Sequence, residues 1–297
     1  MPRPGRRSAQ LAAGALLALT ASTAASGTQS AAASAPARET YAEVPGARLW
    51  YRDTGGSGVP VVFLHAATGT TRNWEYQVPA VTAAGYRFVA YDRRGWGRSS
   101  IDAAGTAPTT GADDLRALLG LLGIDRFHLV GTAGGAFVAL DYALSFPQQL
   151  RSLVIANSIG GVQDEDFLAL GRRLRPSPQF DALPPDLREL GPSYRAANPD
   201  GTSRWLELER ASRPNGPLPT AQRMKNRLTF ALMETITVPT LLLTGGADMY
   251  APPAVLRLFA ARVKGAGTLV VPDAGHSTYW EQPDIFNRAV LDFIRQH

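Results

Sequence analysis

Six short apolar runs, each bounded by turn residues, constrain what this chain can fold into. They are residues 59–65 (VPVVFLH), 86–92 (YRFVAYD), 126–131 (RFHLVG), 150–157 (LRSLVIAN), 238–245 (VPTLLLTG) and 267–273 (GTLVVPD). A strand buried on both faces has no solvent side to alternate with, so nearly continuous apolar runs of this length predict interior strands of a parallel sheet. Helix-like segments fall between them, around 73–84, 112–122, 137–145, 253–263 and 283–296. Parallel neighbours need a crossover connection, and strict alternation of strand and helix covers both faces of the sheet. Upstream, residues 41–52 (YAEVPGARLWYR) predict two further short strands joined at Pro45-Gly46. The fold class is therefore α/β, with a mostly parallel sheet of the eight-stranded type and helices on both faces.

One stretch breaks the rhythm. From Gly160 to Met233 the chain is rich in proline and arginine, with helical pieces such as DEDFLALGRRL and SRWLELERAS and no buried-strand run. An insertion of this length between core strands is expected to be a helical lid over one end of the sheet. The core is then residues 38–159 and 234–297, with the lid at 160–233. Residues 1–37 are expected to be a signal peptide and low-complexity leader. Arg3, Arg6 and Arg7 precede an apolar stretch from Leu11 to Ala21, small residues follow, and no acidic residue occurs before Glu39. Sec-type export is expected, with a twin-arginine route less well supported because no Phe-Leu follows Arg6-Arg7. The apolar stretch is short for a membrane span, so no stable insertion is expected once the leader is removed. The net charge of +5 includes the three leader arginines, and no stripe of basic residues suggests a nucleic-acid partner. The absence of cysteine excludes disulfides and thiol catalysis.

In open parallel sheets, chemistry sits beyond the C-terminal ends of the strands. There this sequence places His65-Ala66-Ala67-Thr68-Gly69, then Gly131-Thr132-Ala133-Gly134-Gly135, then Gly245-Gly246-Ala247-Asp248, and finally Asp273-Ala274-Gly275-His276. With YDRRGWGRSS (91–100) and GHSTYWEQPDIF (275–286), these loops resemble, in kind and order, the α/β-hydrolase fold family. The resemblance covers the chain from Tyr41 onward.

It implies a triad of nucleophile, acid and histidine: position 133, Asp248 and His276. The other histidines fit the base poorly, since His128 lies inside a strand, His297 is terminal and His65 belongs to the oxyanion loop. Asp248 is also open to a helix-capping role, because PPAVLRLF begins a helix nearby. Asn157, at the alternative acid position, cannot carry the charge. The implied oxyanion donors are the backbone amides of Ala67 and Gly134, while Asp92, Arg94 and Gly95 suit a structural turn. At the apex, however, stands Ala133, which cannot attack a carbonyl. Thr132 is expected to turn into the sheet, and neither Thr68 nor Ser158 is selected by spacing as a substitute.

Three readings of such a chain are open. A His276–Asp248 pair could act on water, or on an acidic substrate hydrogen as in cofactor-independent oxygenases and lyases of the fold. The chain could be a serine hydrolase (esterase, lactonase or C–C hydrolase) whose nucleophile has been replaced by Ala133. It could also be a non-catalytic binding member, although neither Asp248 nor His276 is expected to be needed for folding the pocket, which favours catalysis. The expected ligand is a small apolar carbonyl compound, received by Thr68, Trp74 and Tyr279 near the mouth and Phe167, Leu168, Trp205 and Leu206 in the lid, unless these apolar residues serve instead as the lid's own core, an equally open reading. No cofactor or metal is expected, since no phosphate loop, dinucleotide fingerprint or metal cluster occurs.

Overall fold

β3 (Pro60–Leu64) shows how the sheet is built. Val62 and Leu64 pack into one apolar cluster and Val61 and Phe63 into another, so the strand feeds a core on each face. The computed structural model describes residues 36–101, 109–175, 177–213 and 222–297. The leader expected at 1–37 lies outside these residues apart from its last two, which have no regular structure.

β1 (Arg38–Val44) and β2 (Ala47–Asp53) form the expected hairpin around Pro45-Gly46, where Gly46 supplies the positive φ (+69°) of the turn. The remaining strands are β4 (Arg87–Tyr91), β5 (Ser100–Ile101), β6 (Phe127–Thr132), β7 (Leu150–Ala156), β8 (Thr240–Gly245) and β9 (Gly267–Val271). Their order is β1-β2-β4-β3-β6-β7-β8-β9, and the two-residue β5, too short to be visible as a run, pairs with β2. β1–β2 and β2–β4 are antiparallel, and every pair from β4–β3 to β8–β9 is parallel. β9 is an edge strand and mostly exposed, unlike the interior strand expected from its composition.

Helices Gly111–Leu121, Gly134–Ser145 and Pro253–Ala260 cover one face, and Gln77–Ala83 and Pro283–Ile294 the other. Thr110 and Asp113 form a reciprocal capping box at the start of Gly111–Leu121, a device worth about 1 kcal/mol. The helix expected at 73–84 divides into a 3-10 turn (Thr71–Trp74) and an α-helix (Gln77–Ala83). Two fork-like ion pairs are buried beneath the loops. Arg87 meets Asp53 at 2.8 and 2.5 Å, and Arg94 meets Asp114 at 2.9 and 2.6 Å.

Between β7 and β8 the described residues contain helices Glu165–Leu174, Pro185–Glu189, Pro192–Ala197, Pro199–Ser212 and Phe230–Met233, and no strand. Among the described residues no helix is long and apolar enough to cross a membrane.

Candidate active site

β6 ends in a turn that only small residues permit. A Cβ on Gly135 would lie 2.2 Å from the Leu64 carbonyl oxygen and 2.7 Å from that of His65, and one on Gly131 would lie 2.8 Å from Ala136 Cα. Both glycines therefore let the following helix descend onto the ends of β3 and β6. Ala133, at the apex, has φ +47° and ψ −114°, a conformation that L-residues rarely adopt and that costs about 1–3 kcal/mol. The surroundings hold it there. Its N–H donates to the Ala156 carbonyl (3.0 Å), and its carbonyl accepts from the Ala136 N–H (3.1 Å) and the Ser158 hydroxyl (2.9 Å). The helix starts at Gly134, earlier than the segment expected from 137, because the turn runs into it directly.

Gly134 is the first residue of that helix, so its amide has no partner within the helix. The Ala67 amide lies 3.4 Å from where a Gly134 Cβ would be, and among the described residues neither amide donates a hydrogen bond. Two free N–H donors beside one apex can stabilise charge developing on a carbonyl oxygen. His65 supports this loop. Its Nδ1–H donates to the Ala66 carbonyl (2.6 Å), while Nε2 accepts from the Arg93 N–H (2.8 Å), a pattern that requires neutral imidazole. Burial, with Arg93 nearby, holds its pKa well below the usual histidine value.

His276 and Asp248 meet across 28 residues of chain, with Nδ1 2.9 Å from each carboxylate oxygen. Burial pushes the Asp248 carboxyl upward, but the attraction and hydrogen bonding of His276, the Ala251 amide and the Asn157 side chain outweigh it and bring its pKa to about 2. For His276 burial acts downward, and the Asp248 charge overrides it, so the imidazole is more basic than usual. Asp248 also organises its own loop, since Oδ1 accepts from the amides of Tyr250 (2.8 Å) and Ala251 (2.9 Å). The expectation that the acid is dispensable for folding the pocket is therefore overturned. The carboxylate does not cap the following helix, which begins at Pro253 behind Pro252 with no side-chain cap, so Asp248 ties its own loop and pairs with His276 instead.

The histidine loop is fastened from below. Glu281 accepts from the amides of Gly191 (2.7 Å), Gly275 (2.9 Å) and Ser277 (3.2 Å). Its burial pushes its pKa up to about 7 despite those donors. This explains why a glutamate follows the Gly-His turn in the sequence. Asn157 spans the same region, donating to Asp248 Oδ2 (3.0 Å) and the Gly275 carbonyl (3.1 Å). It orients the acid rather than replacing it.

Ala67, Thr68, Ala133, Gly134 and His276 all line one cavity of about 710 Å³. Trp74 and Tyr279, expected at its mouth, are instead only 1% exposed and pack on each other (ring centroids 4.9 Å apart) in the core cluster on one face of the sheet. Trp205 is fully buried in that same cluster and Leu206 packs against it, so neither lines the cavity. An aromatic near the site in sequence had a second apolar destination, and the larger burial won. Phe167 and Leu168 line an adjoining apolar chamber of about 430 Å³. The Ser158 hydroxyl is committed to Ala133 and to the Gly160 amide, and Thr132 is wholly buried.

The structure adds wall residues that sequence reasoning missed: Arg93, Phe137, Arg175, Arg188, Glu189 and Tyr250. Arg93 stands between Asp92 and Arg94 in YDRRGWGRSS (91–100), where nothing in the sequence sets it apart from those turn residues. Tyr250 stacks on His276 with ring centroids 4.3 Å apart. The Glu189 carbonyl accepts the His276 N–H at 2.7 Å. Among the described residues no group of histidine, aspartate and glutamate side chains is placed to hold a metal ion.

The sheet order, the turn at 131–135 and the His276–Asp248 pair agree with a family-level match. The model of the alpha/beta hydrolase family covers residues 61–289. The chain belongs to the alpha/beta hydrolase family. Within it, the chain is 30% identical over 268 residues to a 2-hydroxy-6-oxononadienedioate/2-hydroxy-6-oxononatrienedioate hydrolase of Burkholderia vietnamiensis, covering 84% of this chain and 91% of that one. A thermophilic esterase from Thermogutta terrifontis superposes with a TM-score of 0.72 at 26% identity, over 88% of this chain and 99% of that one. A bromoperoxidase from Bacillus anthracis shares the fold, with a TM-score of 0.69 at 23% identity, over 87% of this chain and all (100%) of that one. Alpha/beta hydrolase relatives thus include proteins named for several different reactions.

Proposed function

We propose that the chain is an enzyme acting on small carbonyl compounds, in which His276, oriented by Asp248, activates water directly and no covalent step occurs at residue 133. The observation that carries this reading is the His276–Asp248 contact, symmetric at 2.9 Å to both carboxylate oxygens. With Nδ1 so engaged, Nε2 is the nitrogen left to work on the cavity. In the step, a water oxygen bonds to the carbonyl carbon as its proton passes to Nε2. The carbonyl π pair moves onto oxygen, facing the amides of Ala67 and Gly134. Collapse of that intermediate expels the leaving group, which takes the proton back from the imidazolium. The esterase and the oxo-acid hydrolase among the relatives support a hydrolytic reaction on an ester, lactone or ketone. The leader reading supports export as the setting.

A panel of aryl esters, lactones and oxo acids tests this. Turnover without an initial burst, abolished in His276→Ala, is expected. Turnover that survives His276→Ala would sink the reading.

A second reading has its own observation. The strained backbone at Ala133 is kept although it presents only a methyl group. That favours a serine-hydrolase site lacking its oxygen, which Ala133→Ser would restore.

A further inference from the structure

Arg93 is 4% exposed, yet among the described residues its Nε and Nη2 have no hydrogen-bond partner. Nη2 lies 3.4 Å from the position a Gly134 Cβ would take, at the same point the Ala67 amide approaches. The guanidinium therefore sits beside the two oxyanion donors, in the wall of the 710 Å³ cavity. Its backbone is pinned by His65, and the Trp96 ring, 4.4 Å from its central carbon, offsets only part of the loss of water. Burial lowers its pKa to about 10, so it remains charged at neutral pH. A buried cation without a hydrogen-bonded counter-ion is unfavourable unless a ligand supplies one.

The other charges facing the cavity point the same way. Arg175 and Arg188 also line it, and among the described residues neither lies within ion-pair distance of an acid; Arg175 sits over the Tyr250 ring at 5.4 Å, and Arg188 Nε is buried without a hydrogen-bond partner. Arg213 is paired with Glu209. Among the described residues the one acid lining this cavity is Glu189, which burial pushes toward its neutral form. Asp248 does not reach the wall and is saturated by its own partners. Behind this cationic rim, the 430 Å³ chamber shares Phe137, Ile159 and Tyr250 with the cavity and adds Phe167, Leu174 and Phe180.

We propose that the cavity receives an organic carboxylate with an apolar body, whose anionic group is held by Arg93 beside the oxyanion donors while the body enters the Phe167–Phe180 chamber. That this anion is the substrate, so that the reacting carbonyl stands close to a carboxylate, rests on the hydrolytic reading above. Binding itself does not.

Hexanoate, hexanamide and inorganic phosphate are titrated calorimetrically into the full chain at millimolar concentration. Hexanoate is expected to bind at least about tenfold more tightly than its neutral isostere, the value of one charge-assisted hydrogen bond. Arg93→Gln should erase that preference while leaving hexanamide within about twofold, and Arg93→Lys should restore part of it. The wild-type comparison needs no variant, so a folding defect in either leaves the test intact. Equal affinity for hexanoate and hexanamide, no binding of hexanoate, or phosphate binding as tightly as hexanoate each overturns the proposal. Selective hexanoate binding without turnover of any panel substrate removes the hydrolytic reading and leaves the anion site standing.

Discussion

Replacing Ala133 by serine adds one oxygen at the apex of the turn and leaves the backbone where it is. The turn is held by the Ala156 carbonyl, the Ala136 amide and the Ser158 hydroxyl, all of which bond main-chain atoms of residue 133. Alanine already has a Cβ, so the +47° φ is borne before the substitution and serine adds no new strain. The new hydroxyl would line the same cavity as His276, whose Nδ1 is taken by Asp248. In a serine hydrolase of another fold, loss of the nucleophile lowers kcat about 10⁶-fold, or about 8 kcal/mol at about 1.36 kcal/mol per decade. Because base, acid and oxyanion donors are already assembled, Ala133→Ser should recover a large part of this, about 10³-fold or more on an activated aryl ester. Thermal stability should change by no more than about 1 kcal/mol. Stopped-flow release of nitrophenolate reads the burst, and intact-protein mass after acid quench reads an acyl adduct at position 133. A folded variant with neither burst nor adduct would refute the reasoning, since the Cβ of residue 133 could not then face the histidine.

Three further outcomes follow from the same geometry. Gly135→Ala drives a Cβ to 2.2 Å from a β3 carbonyl oxygen, so a loss of about 3 kcal/mol or more is expected in urea unfolding; a loss below about 0.5 kcal/mol would contradict the close approach. Asp248, with its folded pKa depressed from 3.8 to about 2, contributes stability that is present above the unfolded value and lost as pH falls through the folded one. That share is about 2 kcal/mol, so the stability gap between wild type and Asp248→Asn should narrow as pH falls from about 4 to 2. The raised pKa of His276 arises from the same pair and is counted once; its share is complete below pH 6.5 and lost as pH rises through the folded value. Finally, a base more acidic in Asp248→Asn than in wild type should move the rising limb of the kcat/KM profile, which lies above 6.5 in wild type, to lower pH. An unchanged limb would exclude His276 as the base.

The alternation of strand and helix, the hairpin at Pro45-Gly46 and the four loops at the strand ends could be recognised in the sequence because each rests on local physics: apolar period, turn residues and the short reach of crossovers. The exposure of β9 was not, because edge position depends on which strands pair, not on the strand's own residues. The absence of a hydroxyl at Ala133 is likewise a property of the chain itself. Pocket membership is not local. Trp74 and Tyr279 flank the site in sequence but join each other across 205 residues on one face of the sheet, where burial is greater. Arg93, one residue from an acid and another arginine, gives no sign in sequence that its neighbours' side chains find hydrogen-bond partners while, among the described residues, its own Nε and Nη2 do not. Asn157 meets Asp248 only because β7 and β8 are adjacent and parallel. The sequence by itself determined the layers, the loop order and the missing oxygen. Only the tertiary packing decided which side chains line the cavity and which charge is left unpaired there, because long-range contacts and desolvation exist only once the sheet has closed over them.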